Sequence, residues 1–128
     1  MLMRDRLTVY ISGPISNGGT ATPEERLENV RKAVTVFLQL VERGFSPMCP
    51  QLTEYVELLS GQRLPHETWM EIDMPWVRKS DILFRMEGPS TGADMEVNEA
   101  RRHGIPVVFS LEELTEQFDW PAEELEEK

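Results

Sequence analysis

Two kinds of apolar segment alternate along this chain of 128 residues, and the alternation constrains its fold more than any other feature. Short apolar runs typical of buried strands are separated by longer segments whose apolar residues recur at helical spacing. The predicted strands are residues 7–12, 45–48, 81–85 and 105–109. Because strands that alternate with helices form β-α-β units, we predict an α/β domain with a four- or five-stranded, mostly parallel sheet.

The strongest helix pattern follows the first strand. Thr22 and Glu25 form a capping box, and Pro23 suits the first turn of a helix. Gly44 suits the left-handed position that follows a helix end. Apolar side chains recur on one face between these signals, at Leu27, Val30, Val34, Phe37, Leu38 and Val41. We therefore predict a helix that begins at Pro23, ends before Gly44 and packs on the sheet.

The remaining helical segments would cover the sheet on both faces. They are residues 50–59, which also fit a helical loop, residues 91–103, and a last segment from a Ser110–Glu113 capping box to about Phe118. Pro75 interrupts the pattern over residues 65–79, so we predict a kink or two short helices, with Asp73 as an N-cap. The whole is a flavodoxin-like or Rossmann-like three-layer fold, one domain over residues 1–120 with an acidic tail over 121–128.

Charge and composition exclude several classes of partner. The formal net charge of −10 argues against binding nucleic acid polymers or anionic membranes, although small nucleotides need only one local anion site. No apolar run approaches the ~20 residues that cross a bilayer. The single cysteine, Cys49, cannot form an intrachain disulfide and is predicted to be a buried small side chain. With no leader pattern before the first strand, we expect a cytoplasmic protein.

Candidate site residues follow the predicted strands. Open parallel sheets bind ligands beyond the carboxyl ends of their strands, where loops splay and helix N-termini present unpaired amides. The glycine-rich residues 13–20 match neither the P-loop nor the dinucleotide pattern, so a plain turn and a ligand cradle both fit. Residues 88–96 bring a hydroxyl, free amides and a carboxylate to one edge, which makes Glu96 the candidate reactive group. The alternative is a first-turn carboxylate that stabilises the helix dipole.

A set of short motifs occurs in a fixed order between residues 7 and 110. They are Tyr10-x-x-Gly13-Pro-Ile, Asp73 eight residues before Asp81, Ser90-x-Gly92-x-x-x-Glu96, Ala100, and Gly104-Ile-Pro-Val. In order and spacing they resemble the nucleoside 2-deoxyribosyltransferase superfamily, which also contains 2′-deoxynucleoside 5′-monophosphate N-glycosidases and cytidylate hydrolases of nucleoside antibiotic pathways. Small bacterial and phage members that begin with a similar Tyr-Ile-Ser-Gly-Pro strand are a closer match.

The resemblance implies a reaction and a role for three side chains. The reaction is cleavage of the N-glycosidic bond of a nucleoside or nucleoside 5′-monophosphate, by hydrolysis or base exchange. Glu96 would be the nucleophile beneath the anomeric carbon, where positive charge develops. Asp73 would contact the base or handle the proton of the leaving group, and the Tyr10 hydroxyl would orient the catalytic carboxylate. From the residues alone, Asp73 also fits a helix cap and Tyr10 an ordinary strand aromatic.

The resemblance also implies where the substrate binds. The implied sugar or phosphate contacts are Gly13, Ile15, Ser16, Ser90 and Gly92. Ser90 matches a position that is serine in the monophosphate hydrolases and acidic in some transferases, which favours a nucleotide. The loop over residues 16–20 lacks the arginines that those hydrolases carry. Arg63 and Arg85 remain possible phosphate partners, with surface ion pairing as the alternative.

The last expectations concern assembly, cofactors and the remaining polar and aromatic residues. The resemblance implies a homodimer or higher homo-oligomer whose neighbouring subunit completes the pocket, and no cofactor. Neither His66 nor His103 has zinc-site spacing, so we predict no metal. Trp69 and Trp76 suit core or subunit packing better than base stacking. Asp94 would reinforce a helix start, or raise the pKa of Glu96 if both faced the pocket. The competing function is a nucleotide sensor that binds without turnover.

Overall fold

The computed structural model describes residues 5–118 as an α/β fold; the predicted acidic tail, residues 121–128, lies outside the described residues. Its elements are β1 (Thr8–Ser12), α1 (Pro23–Glu42), β2 (Ser46–Met48), a 3₁₀ turn (Pro50–Thr53), α2 (Glu54–Ser60), α3 (His66–Lys79), β3 (Ile82–Arg85), α4 (Thr91–Arg102), β4 (Val107–Val108) and α5 (Leu111–Gln117). The four described strands are all parallel, in the order β2-β1-β3-β4. This confirms the predicted flavodoxin-like or Rossmann-like three-layer fold.

The strand order creates a switch point in the sheet. From β1 the chain moves outward to β2, and it then returns to the other side of β1 to form β3. The loops that leave β1 and β3 therefore run in opposite directions, and a crevice opens between them. Ligands of open α/β sheets bind at such a point.

Two separate clusters of buried side chains lie on the two faces of the sheet. The first joins the sheet to α1 and α5 and consists of Val9, Ile11, Ala33, Leu40, Phe45, Cys49, Ile82, Phe84, Val108 and Leu114. The second joins it to α3 and α4 and consists of Tyr10, Val77, Leu83, Val97, Ala100 and Ile105. Because side chains alternate along a strand, neighbouring residues of β1 belong to different layers. We call these the α1 face and the α4 face.

Helix α1 has the ends that the sequence predicts. The Thr22 hydroxyl accepts a hydrogen bond from the Glu25 amide at 3.1 Å, and the Glu25 carboxylate accepts one from the Thr22 amide at 2.8 Å. At the other end Gly44 has a φ of 91°, and the Phe45 amide donates to the Leu40 carbonyl at 3.0 Å. Both caps are local, so the bounds of this helix follow from the sequence.

Helix α3 contradicts one of the two predicted alternatives, a division into two short helices. It runs without a break over His66–Lys79, with Pro75 inside it, and Asp73 lies in its interior instead of capping a second helix. Pro75 removes one backbone donor, a loss confined to a single turn, whereas α3 packs against α4 and buries Met70 and Val77. Since packing outweighs that loss, the helix continues, and Asp73 keeps its carboxylate available for other contacts.

The shorter elements refine three further predictions. Residues 50–59 form a 3₁₀ turn followed by α2, so both predicted alternatives occur there in succession. The fourth strand is limited to Val107–Val108, because its ladder pairs only with Leu83 and Phe84 at the sheet edge. None of the helices within residues 5–118 combines the length and apolar content that a bilayer crossing requires.

Candidate functional site

A cavity of about 460 Å³ lies at the switch point, beyond the carboxyl ends of β1 and β3. The loop after β1, the turn before α2, the first half of α3 and the start of α4 form its walls. Seven of the eight predicted site residues line it, namely Gly13, Ile15, Ser16, Asp73, Ser90, Gly92 and Glu96. The eighth, Tyr10, lies fully buried directly beneath it. The structure thus brings together residues that are far apart in the sequence.

Glu96 occupies a position that helix α4 otherwise reserves for apolar side chains. The helix begins after Ser90, whose hydroxyl accepts a hydrogen bond from the Ala93 amide at 3.0 Å. Its buried face consists of Ala93, Glu96, Val97 and Ala100, which recur at helical spacing. Glu96 is only 6% exposed. A carboxylate buried against a sheet is costly unless hydrogen-bonded, so its surroundings decide what it does.

Two hydroxyls of strand β1 hold the carboxylate of Glu96. Tyr10 Oη donates to Oε2 at 2.7 Å, and Ser12 Oγ donates to Oε1 at 2.7 Å. The alternation of a strand places both donors on the α4 face. Ser12 was not among the site residues predicted from the sequence. Strand periodicity could have identified Ser12, because a residue two positions from Tyr10 on a strand faces the same side of the sheet.

The environment of Glu96 leaves its charge poised near neutral pH. Burial raises the pKa of the carboxyl most, and the hydrogen bonds from Ser12 and Tyr10 lower it. The negative charge of Asp73 raises it further, and the positive charge of Arg85 lowers it slightly. The result is a pKa raised to about 7. Near pH 7 about half of the molecules carry an ionised Glu96.

Asp73 faces the same cavity from helix α3. It shares one side of that helix with His66, Trp69 and Met70, which also line the cavity. Burial raises the pKa of Asp73 to about 6. Within residues 5–118 no side chain or backbone group forms a hydrogen bond or ion pair with its carboxylate. An unpaired, half-buried carboxylate with a raised pKa can exchange a proton with a bound ligand.

One wall of the cavity contains a network of ion pairs that the sequence motifs did not predict. Arg26 donates to Glu54 through two nitrogens, at 2.8 and 2.6 Å, and Glu54 is 6% exposed. Arg26 also lies 3.9 Å from Glu57. Nothing local in the sequence indicates this network, because it joins α1 to α2. A bidentate pair of this kind fixes the side chains of the wall.

Trp69 contributes an aromatic surface to the cavity. Its indole nitrogen donates to Glu57 at 2.8 Å, and the same carboxylate accepts the Leu64 amide at 2.9 Å. We predicted core or subunit packing for Trp69 and Trp76. Trp69 lines the cavity and Trp76 is 52% exposed, so neither lies in the core, and subunit packing stays a prediction. Trp69 lies in the first half of α3, on the same side of the helix as Met70 and Asp73, and therefore faces the same opening.

The glycine-rich loop after β1 is anchored at its tip. Asn29 on α1 donates to the Ile15 carbonyl at 2.9 Å and to Asn17 Oδ1 at 3.1 Å. Asn17 has a φ of 50°, and Gly18 and Gly19 also have left-handed backbones. The two predicted alternatives for this loop were a plain turn and a cradle. Ile15, Ser16, Gly18 and Gly19 line the cavity, so the loop forms part of its wall.

Close contacts explain the glycine at two of the site positions. A Cβ atom on Gly13 would lie 3.0 Å from the Cβ of Met86. On Gly92 it would lie 3.3 Å from Cε1 of His66. Larger side chains at either position would displace these neighbours or narrow the cavity.

The predicted phosphate partners are both engaged with acidic groups. Arg85 forms an ion pair with Asp94 at 2.9 Å and donates to the carbonyls of Met86 and Gly88, away from the cavity. Arg63 lines the cavity, is largely exposed and lies 3.8 Å from Glu57. Asp94 is 70% exposed and does not face the pocket, so the alternative in which it raises the pKa of Glu96 is wrong. The carboxylate that does so is Asp73.

Other reactive side chains lie apart from this site. Cys49 is buried, and burial raises the pKa of its thiol, as expected for a packing residue. His103 ends α4 and lies 3.2 Å from Glu99, in keeping with an interaction at the helix C-terminus. Among residues 5–118 no three His, Cys, Asp or Glu side chains cluster in a way that could hold a metal ion.

Comparisons with known proteins add no family. No protein-family model matches the chain, and no curated protein matches it. The fold and the cavity define the protein as an α/β domain with a buried, hydroxyl-held carboxylate at its switch point. Any statement of its activity rests on that geometry and on the motifs of the sequence.

Proposed function

We propose that this protein cleaves the N-glycosidic bond of a nucleoside or nucleoside 5′-monophosphate, with Glu96 as the nucleophile. The observation that carries the proposal is the carboxylate of Glu96, buried beneath the cavity with each oxygen held by a hydroxyl. The motif resemblance to the nucleoside 2-deoxyribosyltransferase superfamily supports the same reaction.

A carboxylate below the sugar assists cleavage of the N-glycosidic bond. As the bond from C1′ to the base nitrogen breaks, positive charge builds on the sugar ring and the electron pair leaves with the base. An oxygen of Glu96 attacks C1′ and forms a glycosyl ester. Each oxygen accepts one hydrogen bond from β1 and keeps a further lone pair for this step. Water then releases the free sugar, or a second base releases a new nucleoside.

Asp73 is the proposed partner of the leaving base. The departing nitrogen gains a negative charge, which a proton or a hydrogen bond from a carboxylic acid neutralises. A pKa raised to about 6 keeps a fraction of Asp73 protonated near neutral pH. Because Asp73 and Glu96 lie on different helices that face one cavity, a nucleoside between them would place its sugar toward Glu96 and its base toward Asp73.

The walls of the cavity support a nucleoside-sized ligand. A volume of about 460 Å³ is within the ~300–1,000 Å³ range of small-molecule sites. The Trp69 ring offers a surface for a planar base. Both arginines of the wall already face glutamates, so a 5′-phosphate would depend on the amides and hydroxyls around Ser16 and Ser90. Assembly as a homo-oligomer stays a prediction from the resemblance.

The test is release of free base from a panel of nucleosides and their 5′-monophosphates, followed by chromatography. We expect release from at least one member of the panel and a loss of about four orders of magnitude or more in Glu96→Gln. Glu99→Gln is the matched control, because it makes the same change on the same helix outside the cavity.

Three outcomes have different meanings. Release that survives in Glu96→Gln contradicts the proposed nucleophile. Tight binding without release from any compound supports the alternative, a sensor on the same fold. Adding a foreign free base to the reaction separates the two enzyme classes, because a transferase yields the exchanged nucleoside and a hydrolase yields free sugar.

A further inference from the structure

Ser12 is a buried polar residue that the proposed reaction does not yet use. Its side chain is fully buried at the end of β1, and its hydroxyl donates to Oε1 of Glu96 at 2.7 Å. We propose that Ser12 is a positioning residue, whose hydroxyl together with that of Tyr10 fixes the plane of the Glu96 carboxylate and directs it at the substrate. The inference rests on the proposed function for its kinetic consequence, but its geometric part stands on the contact alone.

Two donors achieve what one cannot. With Tyr10 alone, the carboxylate of Glu96 can rotate about its last side-chain bond, because only Oε2 is held. The second hydrogen bond, to Oε1, removes that freedom. A nucleophile held in its attacking orientation loses less entropy on reaching the transition state. Each donor also favours the ionised carboxylate over the neutral acid.

Simple packing does not account for a serine at this position. The preceding residues of β1 on the other face, Val9 and Ile11, are apolar and equally buried. A buried hydroxyl without a partner destabilises a fold, and Ser12 finds its short contact on a carboxylate more than 80 positions away in the sequence. The Ala93 carbonyl, another acceptor within reach, is farther away at 3.4 Å, so the hydroxyl is matched to Glu96, and not to the requirements of the strand.

Three other groups that carry charge or titrate act on the pKa of Glu96 from the elements around it. Tyr10 lies on β1, Asp73 on α3 and Arg85 on β3, and His66 lines the same cavity near Gly92. Tyr10 and Arg85 favour the ionised form of Glu96, whereas Asp73 disfavours it. A test of Ser12 must therefore change the serine and leave these groups in place.

The decisive measurement is the pKa of Glu96 itself, followed by the carbon NMR signal of its carboxyl group and assigned by its loss in Glu96→Gln. In Ser12→Ala we expect that pKa to rise by about one unit, since a hydrogen bond to a charged group is removed. An unchanged pKa would overturn the inference. This readout needs no substrate, so it holds or fails separately from the proposed activity.

Kinetics provide the second readout if the protein releases base. A rise in the pKa of Glu96 from about 7 by about one unit lowers its ionised fraction at pH 7 about five-fold. Relative to wild type at the same pH, we expect kcat to be lower by at least that factor at pH 7, the deficit to shrink near pH 9, and KM to change little. A loss that is the same at every pH would contradict the role, because a purely structural defect does not follow the titration of Glu96.

Two further variants complete the test, one for the size of the Ser12 side chain and one as a control. Ser12→Cys keeps the size of the side chain but donates weakly, so we expect it to behave like Ser12→Ala in the NMR titration. Wild-type behaviour in Ser12→Cys would assign the effect to packing and overturn the inference. Ser80→Ala is the matched control, because it removes a serine hydroxyl outside the cavity that donates to the Trp76 carbonyl, and it should leave the pKa of Glu96 unchanged.

Discussion

The two faces of the sheet use the same strand for opposite purposes. On the α1 face, Val9 and Ile11 pack among apolar side chains. On the α4 face, Tyr10 and Ser12 direct hydroxyls at a buried carboxylate. Burial of apolar groups stabilises the fold, whereas burial of Glu96 opposes it. The comparison indicates that the α1 face stabilises the fold through apolar packing, whereas the α4 face also buries a carboxylate that lowers stability.

The largest expected effect comes from weakening the α1 face. Ile11→Ala removes fully buried apolar volume, and we expect the free energy of unfolding to fall by about 2–5 kcal/mol. Urea denaturation at several pH values measures this loss. Because the removed atoms of Ile11 are apolar and pack among apolar side chains, the loss of stability should be nearly the same from pH 5 to pH 8. A strongly pH-dependent loss would show that the two faces are not energetically separate.

The second prediction concerns the energetic cost of burying the charge of Glu96 on the α4 face. Folding raises the pKa of Glu96 from 4.5 to about 7, so between these values the folded state binds more protons than the unfolded state. Stability therefore falls as the pH rises through this window, by about 3 kcal/mol in total. Above pH 7 the full penalty is present, and Glu96→Gln should remove most of it.

The measurement for this prediction is thermal or urea unfolding of wild type and Glu96→Gln at pH 5 and pH 8. We expect the variant to gain stability relative to wild type at pH 8 and to gain little at pH 5. Glu99→Gln, which changes an ion-paired carboxylate outside the cavity, should show no such gain. Equal stability of Glu96→Gln and wild type at both pH values would mean that burial does not oppose the charge of Glu96.

The difference between the faces also marks what the sequence could predict. The α/β order and the ends of α1 depend on local signals such as Thr22 and Gly44, and the structure confirms them. Of the two alternatives predicted at Pro75, the division into two helices was wrong, because a single missing donor is outweighed by the packing of α3 on α4. Fold class and helix caps are therefore readable from neighbours in the chain, whereas a helix break depends on tertiary contacts.

The residues of the site likewise differ in whether the sequence predicts them. Glu96, Asp73 and Tyr10 belong to motifs with recognisable spacing, and the structure places them around one cavity. The Arg26–Glu54 pair joins α1 to α2, and no spacing rule connects its two residues. Partners that meet only after folding carry no local signature, which is why this wall was missed.

A smaller change, away from both the sheet faces and the cavity, tests whether loss of stability alone disturbs the site. Thr22→Ala removes the hydroxyl that caps α1, and we expect a loss of about 1 kcal/mol. Urea unfolding measures the loss, and the carboxyl NMR titration measures the pKa of Glu96, which should stay unchanged. A shifted pKa in Thr22→Ala would mean that general destabilisation, and not the loss of a specific donor, moves Glu96.

The smallest expected shift concerns the coupling between the two carboxylates of the cavity. The charge of Asp73 raises the pKa of Glu96 by less than either hydroxyl lowers it. Asp73→Asn should therefore lower the pKa of Glu96 by a fraction of a unit, opposite in sign to Ser12→Ala, and the carboxyl NMR titration detects it. If Asp73 also protonates the leaving base, wild-type activity should be bell-shaped in pH with its maximum between about 6 and 7, where the pair shares one proton.

Loss of the alkaline fall in Asp73→Asn would identify Asp73 as the group that must stay protonated. An alkaline fall that persists in this variant would assign the proton to solvent or another group, and Asp73 would then act through charge alone. In either case, the direction in which the pKa of Glu96 shifts shows whether Asp73 on α3 opposes the effect of the two β1 hydroxyls on that pKa. If the pKa of Glu96 rises in Asp73→Asn, that opposition is contradicted. Removal of a negative charge that faces the same cavity favours ionisation of Glu96 and therefore lowers its pKa.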